Sequence, residues 1–110
     1  MNEVPWEKFG LSERNGHLIH DVLARFGEVD EAVLFGSRAK GCYKNGSDID
    51  LAVKGTVGKD TQAQLLAAFE ESLLPYFVDV VVYSHLRNDA LREHIDRVGV
   101  CVYRNFFGRE

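Results

Sequence analysis

Leu18, Ile19, Val22, Leu23 and Phe26 recur at the three-and-four spacing of a helix. The pattern predicts a helix over about 12–26, with Ser12 as its N-cap and Gly27 as its stop. Gly16, inside it, weakens the first turn by about 1 kcal/mol relative to Ala. Ala32-Val33-Leu34-Phe35 is short, apolar and closed by Gly36, which reads as a buried strand. A short helical turn is expected from Ser37 to about Gly41. Lys44-Asn45-Gly46-Ser47 is a turn in which Asn-Gly supplies positive φ. A clean period of two then runs from Asp48 to Lys54. Ile49, Leu51 and Val53 fall on one face, and Asp48, Asp50, Ala52 and Lys54 on the other. Leu65, Leu66, Phe69 and Leu73 mark another helix, stopped by Pro75. Phe77 to Tyr83 is a third strand, apolar on both faces except for Asp79. Leu86, Ala90, Leu91 and Ile95 suggest a last helix, and Val100 to Tyr103 a fourth strand. The link between the first two strands is too short for a crossover helix, so they pair antiparallel. The expected architecture is α/β (α+β): a small mixed sheet with helices packed mainly on one face.

The chain has 110 residues. That length suits one domain with one core, so residues 1–110 are read as a single unit. No apolar run approaches a membrane span, and the first residues lack the basic start and apolar stretch of a secretory signal. Cys42 and Cys101 are too few for a disulfide scaffold, which points to a reducing, cytoplasmic setting. Net charge is −4, which argues against direct binding along duplex nucleic acid. Between Gly36 and Lys59, however, Arg38, Lys40, Lys44, Lys54 and Lys59 outnumber Asp48 and Asp50 by three, leaving −7 on the rest. One cationic stretch on an acidic protein suits a small polyanion.

Aspartate is depleted in strands, so Asp48, Asp50 and Asp79 each need a reason. Asp48 and Asp50 leave one face of their strand roughly 7 Å apart. Asp79 joins them if the second and third strands are neighbours. At about 5 Å and an effective dielectric near 20, each carboxylate pair costs about 3 kcal/mol. Proteins relieve such repulsion by protonating one group or by binding a cation. All-oxygen ligands suit Mg²⁺ or Mn²⁺. Two ions about 3.5–4 Å apart, bridged by a carboxylate, would serve in-line displacement at phosphorus. Lys54 is a poor counter-ion for Asp50, because four strand residues span roughly 13 Å. Upstream, Gly36-Ser37 lies at a strand-to-helix junction where Gly admits a ligand to the backbone and free N–H groups favour phosphate. Ser37 Oγ adds a hydrogen bond. Arg38, Lys40 and Lys44 are the candidate phosphate counter-charges. Together these residues describe a nucleoside triphosphate site. His17 and His20 read as a helix flank, His85 and His94 have no partner spacing, and Cys42 reads as a plain small residue. Trp6, Phe106 and Phe107 read as locally packed or frayed ends rather than partner contacts.

Gly36-Ser37, ten residues, then Asp48-Ile49-Asp50 resembles the G-S-x₁₀-D-x-D motif of the polymerase-β-like nucleotidyltransferases. The wider strings Leu34-Phe35-Gly36-Ser37-Arg38-Ala39 and Ser47-Asp48-Ile49-Asp50-Leu51-Ala52-Val53 extend the likeness, and Asp79 lies in a later strand like that family's third carboxylate. The chain most resembles the minimal nucleotidyltransferase (MNT) subgroup, in length and in the closing pattern Ile95 … Gly99-Val100-Cys101-Val102-Tyr103. Lys40 departs from it, standing where an arginine is common, and so keeps charge but loses bidentate phosphate contact. The resemblance implies transfer of a nucleoside monophosphate, usually AMP from ATP, onto a hydroxyl, with release of pyrophosphate. It implies that Asp48 and Asp50 hold two Mg²⁺ ions, and that Asp79 holds the catalytic one and helps deprotonate the acceptor. It further implies an antitoxin role, with a HEPN-domain toxin as partner and a toxin tyrosine as the acceptor in some pairs. The chain is too short for a second, substrate-enclosing domain, so a partner or a second copy must close the site. Two other readings stand beside this one: a non-catalytic antitoxin acting by binding, and a small-molecule nucleotidyltransferase of the aminoglycoside type.

Overall fold

The computed structural model describes residues 4–105; Phe106 and Phe107 lie outside them. A 3-10 turn, Trp6–Phe9, precedes α1 (Glu13–Ala24), β1 (Val29–Phe35), α2 (Gly36–Lys40), β2 (Ile49–Gly55), α3 (Lys59–Glu71), β3 (Val78–Val82), α4 (Asp89–Val98) and β4 (Val100–Arg104). The four strands form one sheet in the order β3-β2-β1-β4. β1 pairs antiparallel with β2 and with β4, while β2 and β3 run parallel, so the sheet is mixed as expected.

The alternation in β2 divides the protein. Ile49, Leu51 and Val53 face the larger core with Leu34, Val78 and Val80, beneath Ile19 and Leu23 of α1 and Leu65 and Phe69 of α3. On the other face α4 covers a smaller cluster, in which Ile95 packs with Val33, Phe35 and Ala52. The long helices α1 and α3 thus share one face, and α4 shields only part of the other. The uncovered end of that second face carries the carboxylates.

Local chemistry sets the boundaries. Ser12 Oγ accepts the Asn15 N–H at 3.0 Å and starts α1, and Asn88 Oδ1 accepts the Leu91 N–H at 3.1 Å to start α4. Gly16 has a packing reason: a Cβ there would sit 2.3 Å from Trp6 Nε1. Trp6 is buried, so the first turn is a packed part of the core. α3 ends before Leu73, because Ser72 Oγ donates to the Phe69 carbonyl and accepts the Leu74 N–H, competing with the helix. Leu73, read from spacing as a core position, is 74% exposed. No helix among the described residues is long and apolar enough to cross a membrane.

Candidate active site

The parallel pairing of β2 and β3 places Asp50 directly opposite Asp79, and the antiparallel pairing of β1 and β2 places Phe35 opposite Asp50. Registered partners in adjacent strands point to the same side of a sheet. Asp50 and Asp79 therefore lie side by side, both half-buried, on the face that α4 leaves open. Asp48 stands just ahead of β2 and is exposed. Burial first, then the Asp79 and Asp48 carboxylates, push the Asp50 carboxyl up from 3.8 to about 6. The three acids thus share one electrostatic neighbourhood. Among the described residues, no three His, Cys, Asp or Glu side chains are gathered closely enough to hold a metal ion. The fold aligns the carboxylates without closing them into a cage. Three oxygen donors with unrelieved mutual repulsion are nonetheless a donor set suited to a hard divalent cation.

Gly36 ends β1 and opens α2 with φ +79°, and a Cβ there would lie 2.2 Å from Asp50 Oδ2. Both the conformation and the contact demand glycine. Ser37 follows, half-buried in the first turn of the five-residue α2. Gly41 ends that helix in the left-handed conformation, and Cys42 N–H returns to the Ser37 carbonyl at 3.0 Å. The motif glycine and serine are thereby held at the edge of the acidic face.

Arg38 corrects the sequence reading. Named there as a candidate phosphate counter-charge, it is buried, with 2% of its surface exposed. Its Nη1 donates to the carbonyls of Phe9 (2.8 Å) and Gly10 (3.3 Å). Its Nε and Nη2 both donate to the Ser47 carbonyl, at 3.1 and 2.8 Å. The guanidinium also lies over the rings of Tyr76 (4.6 Å) and Tyr43 (5.4 Å). A buried cation needs such partners to offset its lost hydration, and these leave it fastening the loop between Ser37 and Asp48 rather than facing a ligand. Lys40 and Lys44 are exposed on that loop. Lys54 turns to the ring of Tyr83, 4.6 Å away.

Two residues acquire a place that the sequence did not suggest. His94, on α4, has its Nε2 3.3 Å from the Gly36 nitrogen and accepts that N–H. Phe77, counted in the sequence as part of an apolar strand, is 63% exposed. Its carbonyl accepts the Ile49 N–H at 2.9 Å, which sets it beside Asp48 where β2 and β3 begin. Only the period-two parity hinted at this, since it puts Phe77 and Asp79 on one face.

The family profile described as polymerase beta, nucleotidyltransferase matches residues 18–106. The chain belongs to the polymerase-β nucleotidyltransferase family. The fold of that family, a four-stranded mixed sheet with four helices, is the one described above. Among solved structures, a toxin–antitoxin complex with AMP-PNP aligns at a TM-score of 0.69 and 22% identity, over 84% of this chain and 75% of that one. The complex of a tri-AMPylated Shewanella oneidensis HEPN toxin with its MNT antitoxin aligns at 0.66 and 19%, over 86% and 74%. A proposed nucleotidyltransferase of Sulfolobus solfataricus aligns at 0.57 and 19%, over 100% and 96%. These likenesses extend the minimal nucleotidyltransferase resemblance from motif to fold. No curated protein matches the sequence significantly.

Proposed function

We propose that this protein transfers a nucleoside monophosphate, AMP from ATP, onto a hydroxyl of a partner protein, with pyrophosphate leaving, and that the partner is a HEPN-domain toxin which the transfer silences. The observation that carries the reading is the pairing of Asp50 with Asp79 beside Asp48 and against Gly36. The solved relatives support it, one holding AMP-PNP and another a toxin already AMPylated.

In this reading Asp48, Asp50 and Asp79 would hold two Mg²⁺ ions, with Mn²⁺ as a substitute. Bound there, the ions would neutralise triphosphate charge and make the acceptor hydroxyl more acidic. Ser37 Oγ and the Ser37 backbone N–H receive phosphate oxygens, Lys40 and Lys44 supply diffuse positive charge, and Asp79 takes the acceptor proton. The acceptor oxygen then bonds to the α-phosphorus as the bond to pyrophosphate breaks. Asp48 and Phe77 are both exposed at this end of the sheet, which suits an acceptor carried by a separate molecule.

The test is incubation with labelled ATP, Mg²⁺ and a purified HEPN-domain partner. Label on a partner hydroxyl, released as AMP, is the expected result. An intact complex without label favours the second reading, a binding antitoxin with no turnover. Label on an aminoglycoside instead would favour the small-molecule reading.

A further inference from the structure

We infer that His94 is a positioning residue for nucleotide binding, which sets the Gly36–Ser37 turn against Asp50; the inference rests on the nucleotidyltransferase reading. The Gly36 N–H is otherwise an orphan. β1 leaves the sheet at Phe35, β4 pairs only as far as Leu34, and the first residue of a helix has no intrahelical acceptor. His94 reaches over from α4 and fills the gap, its Nε2 at 3.3 Å. An accepting Nε2 places the ring proton on Nδ1.

The ring is fixed from two directions. Its neighbour Ile95 is buried with Val33, Phe35 and Ala52. Its edge meets the ring of Phe35, with centroids 6.1 Å apart at 81°. On the opposite side of Gly36 there is no space, since even a Cβ would collide with Asp50 Oδ2. The Gly36 peptide is therefore held between an imidazole acceptor and a carboxylate. Gly36 directly precedes Ser37 and abuts Asp50, so a shift of its backbone moves the candidate phosphate donor and crowds the carboxylate. α4 thereby takes part in ligand binding through one nitrogen.

His94→Phe keeps the ring and its packing on Phe35 but removes the acceptor, whereas His94→Gln offers Oε1 where Nε2 stood. The Kd for Mg-ATP by calorimetry, and its KM in the transfer assay, should rise about tenfold in His94→Phe, with kcat within about threefold of wild type. His94→Gln should restore both constants to within about threefold. Amide exchange at Gly36 should accelerate in the Phe variant and stay slow in the Gln variant. Unchanged nucleotide binding in His94→Phe would overturn the inference, as would a Gln variant as weak as the Phe one. Wild type that binds Mg-ATP without transferring AMP would sink the enzyme reading and leave the positioning role measurable through Kd. Wild type that binds no nucleotide would sink both.

Discussion

Replacing Asp50 by Asn should stabilise the protein in the absence of divalent cations. The folded chain keeps the Asp50 proton up to about pH 6, while the unfolded chain releases it near 3.8. Folding thus takes up a proton between these values. The contribution of this group to stability is fully favourable below the unfolded value and is lost as pH rises through about 6. Converted at face value, a shift of about two units is worth about 3 kcal/mol at neutral pH. Asp50 is only half-buried, and solvent screening reduces that to about 1–2 kcal/mol. Asn keeps the shape and removes the charge that burial, Asp79 and Asp48 oppose. The assay is urea unfolding in EDTA. At about pH 8 the variant's midpoint should lie about 0.5–1 M urea higher, taking a slope near 2 kcal/mol/M. At about pH 4 the gain should shrink to a few tenths of a kcal/mol. Added Mg²⁺ should stabilise wild type more than the variant at the higher pH. A variant less stable than wild type at about pH 8, or a gain of equal size at both pH values, would refute the electrostatic argument.

Further expectations concern the same end of the sheet. Asp79→Asn should leave circular dichroism unchanged and lower AMP transfer to a partner by at least about a hundredfold, read from labelled ATP; near-normal transfer would remove Asp79 from the chemistry. Arg38→Ala strands the carbonyls of Phe9, Gly10 and Ser47, and should cost about 3–4 kcal/mol in urea unfolding. Arg38→Lys cannot reach all three carbonyls and should recover only part of that. Gly36→Ala must place a methyl on Asp50 Oδ2 at positive φ, so Mg-ATP binding should disappear in calorimetry while the fold loses about 1–3 kcal/mol.

The acidic face was legible because its information is local. Two aspartates in a strand of period two declare their face, and a motif spanning fifteen positions carries its own spacing. Asp79 needed only that β2 and β3 be neighbours. Arg38 was misread because a positive charge beside a phosphate-type turn looks like a ligand contact. Its true acceptors are carbonyls of residues 9, 10 and 47, and backbone acceptors leave no trace in side-chain pattern. The role of His94 was invisible for a related reason: its partner is a backbone N–H 58 positions away. Gly16 looked like a weak point in α1 until Trp6 was seen lying on it. Leu73 fitted the helical spacing, but the Ser72 hydroxyl ended the helix first.

The guanidinium of Arg38 grips Phe9 and Gly10 with one nitrogen and Ser47 with two others. The leading segment is therefore a strut for the bend that delivers Asp48, and not an appendage to be trimmed. A clone begun at Leu11 would lose both upstream carbonyls along with the indole that lies on Gly16, and its handicap would surface at the bend that leads into β2. A fusion tag or bound protein that displaces that leading segment also takes away two of the acceptors that hold Arg38 against the bend.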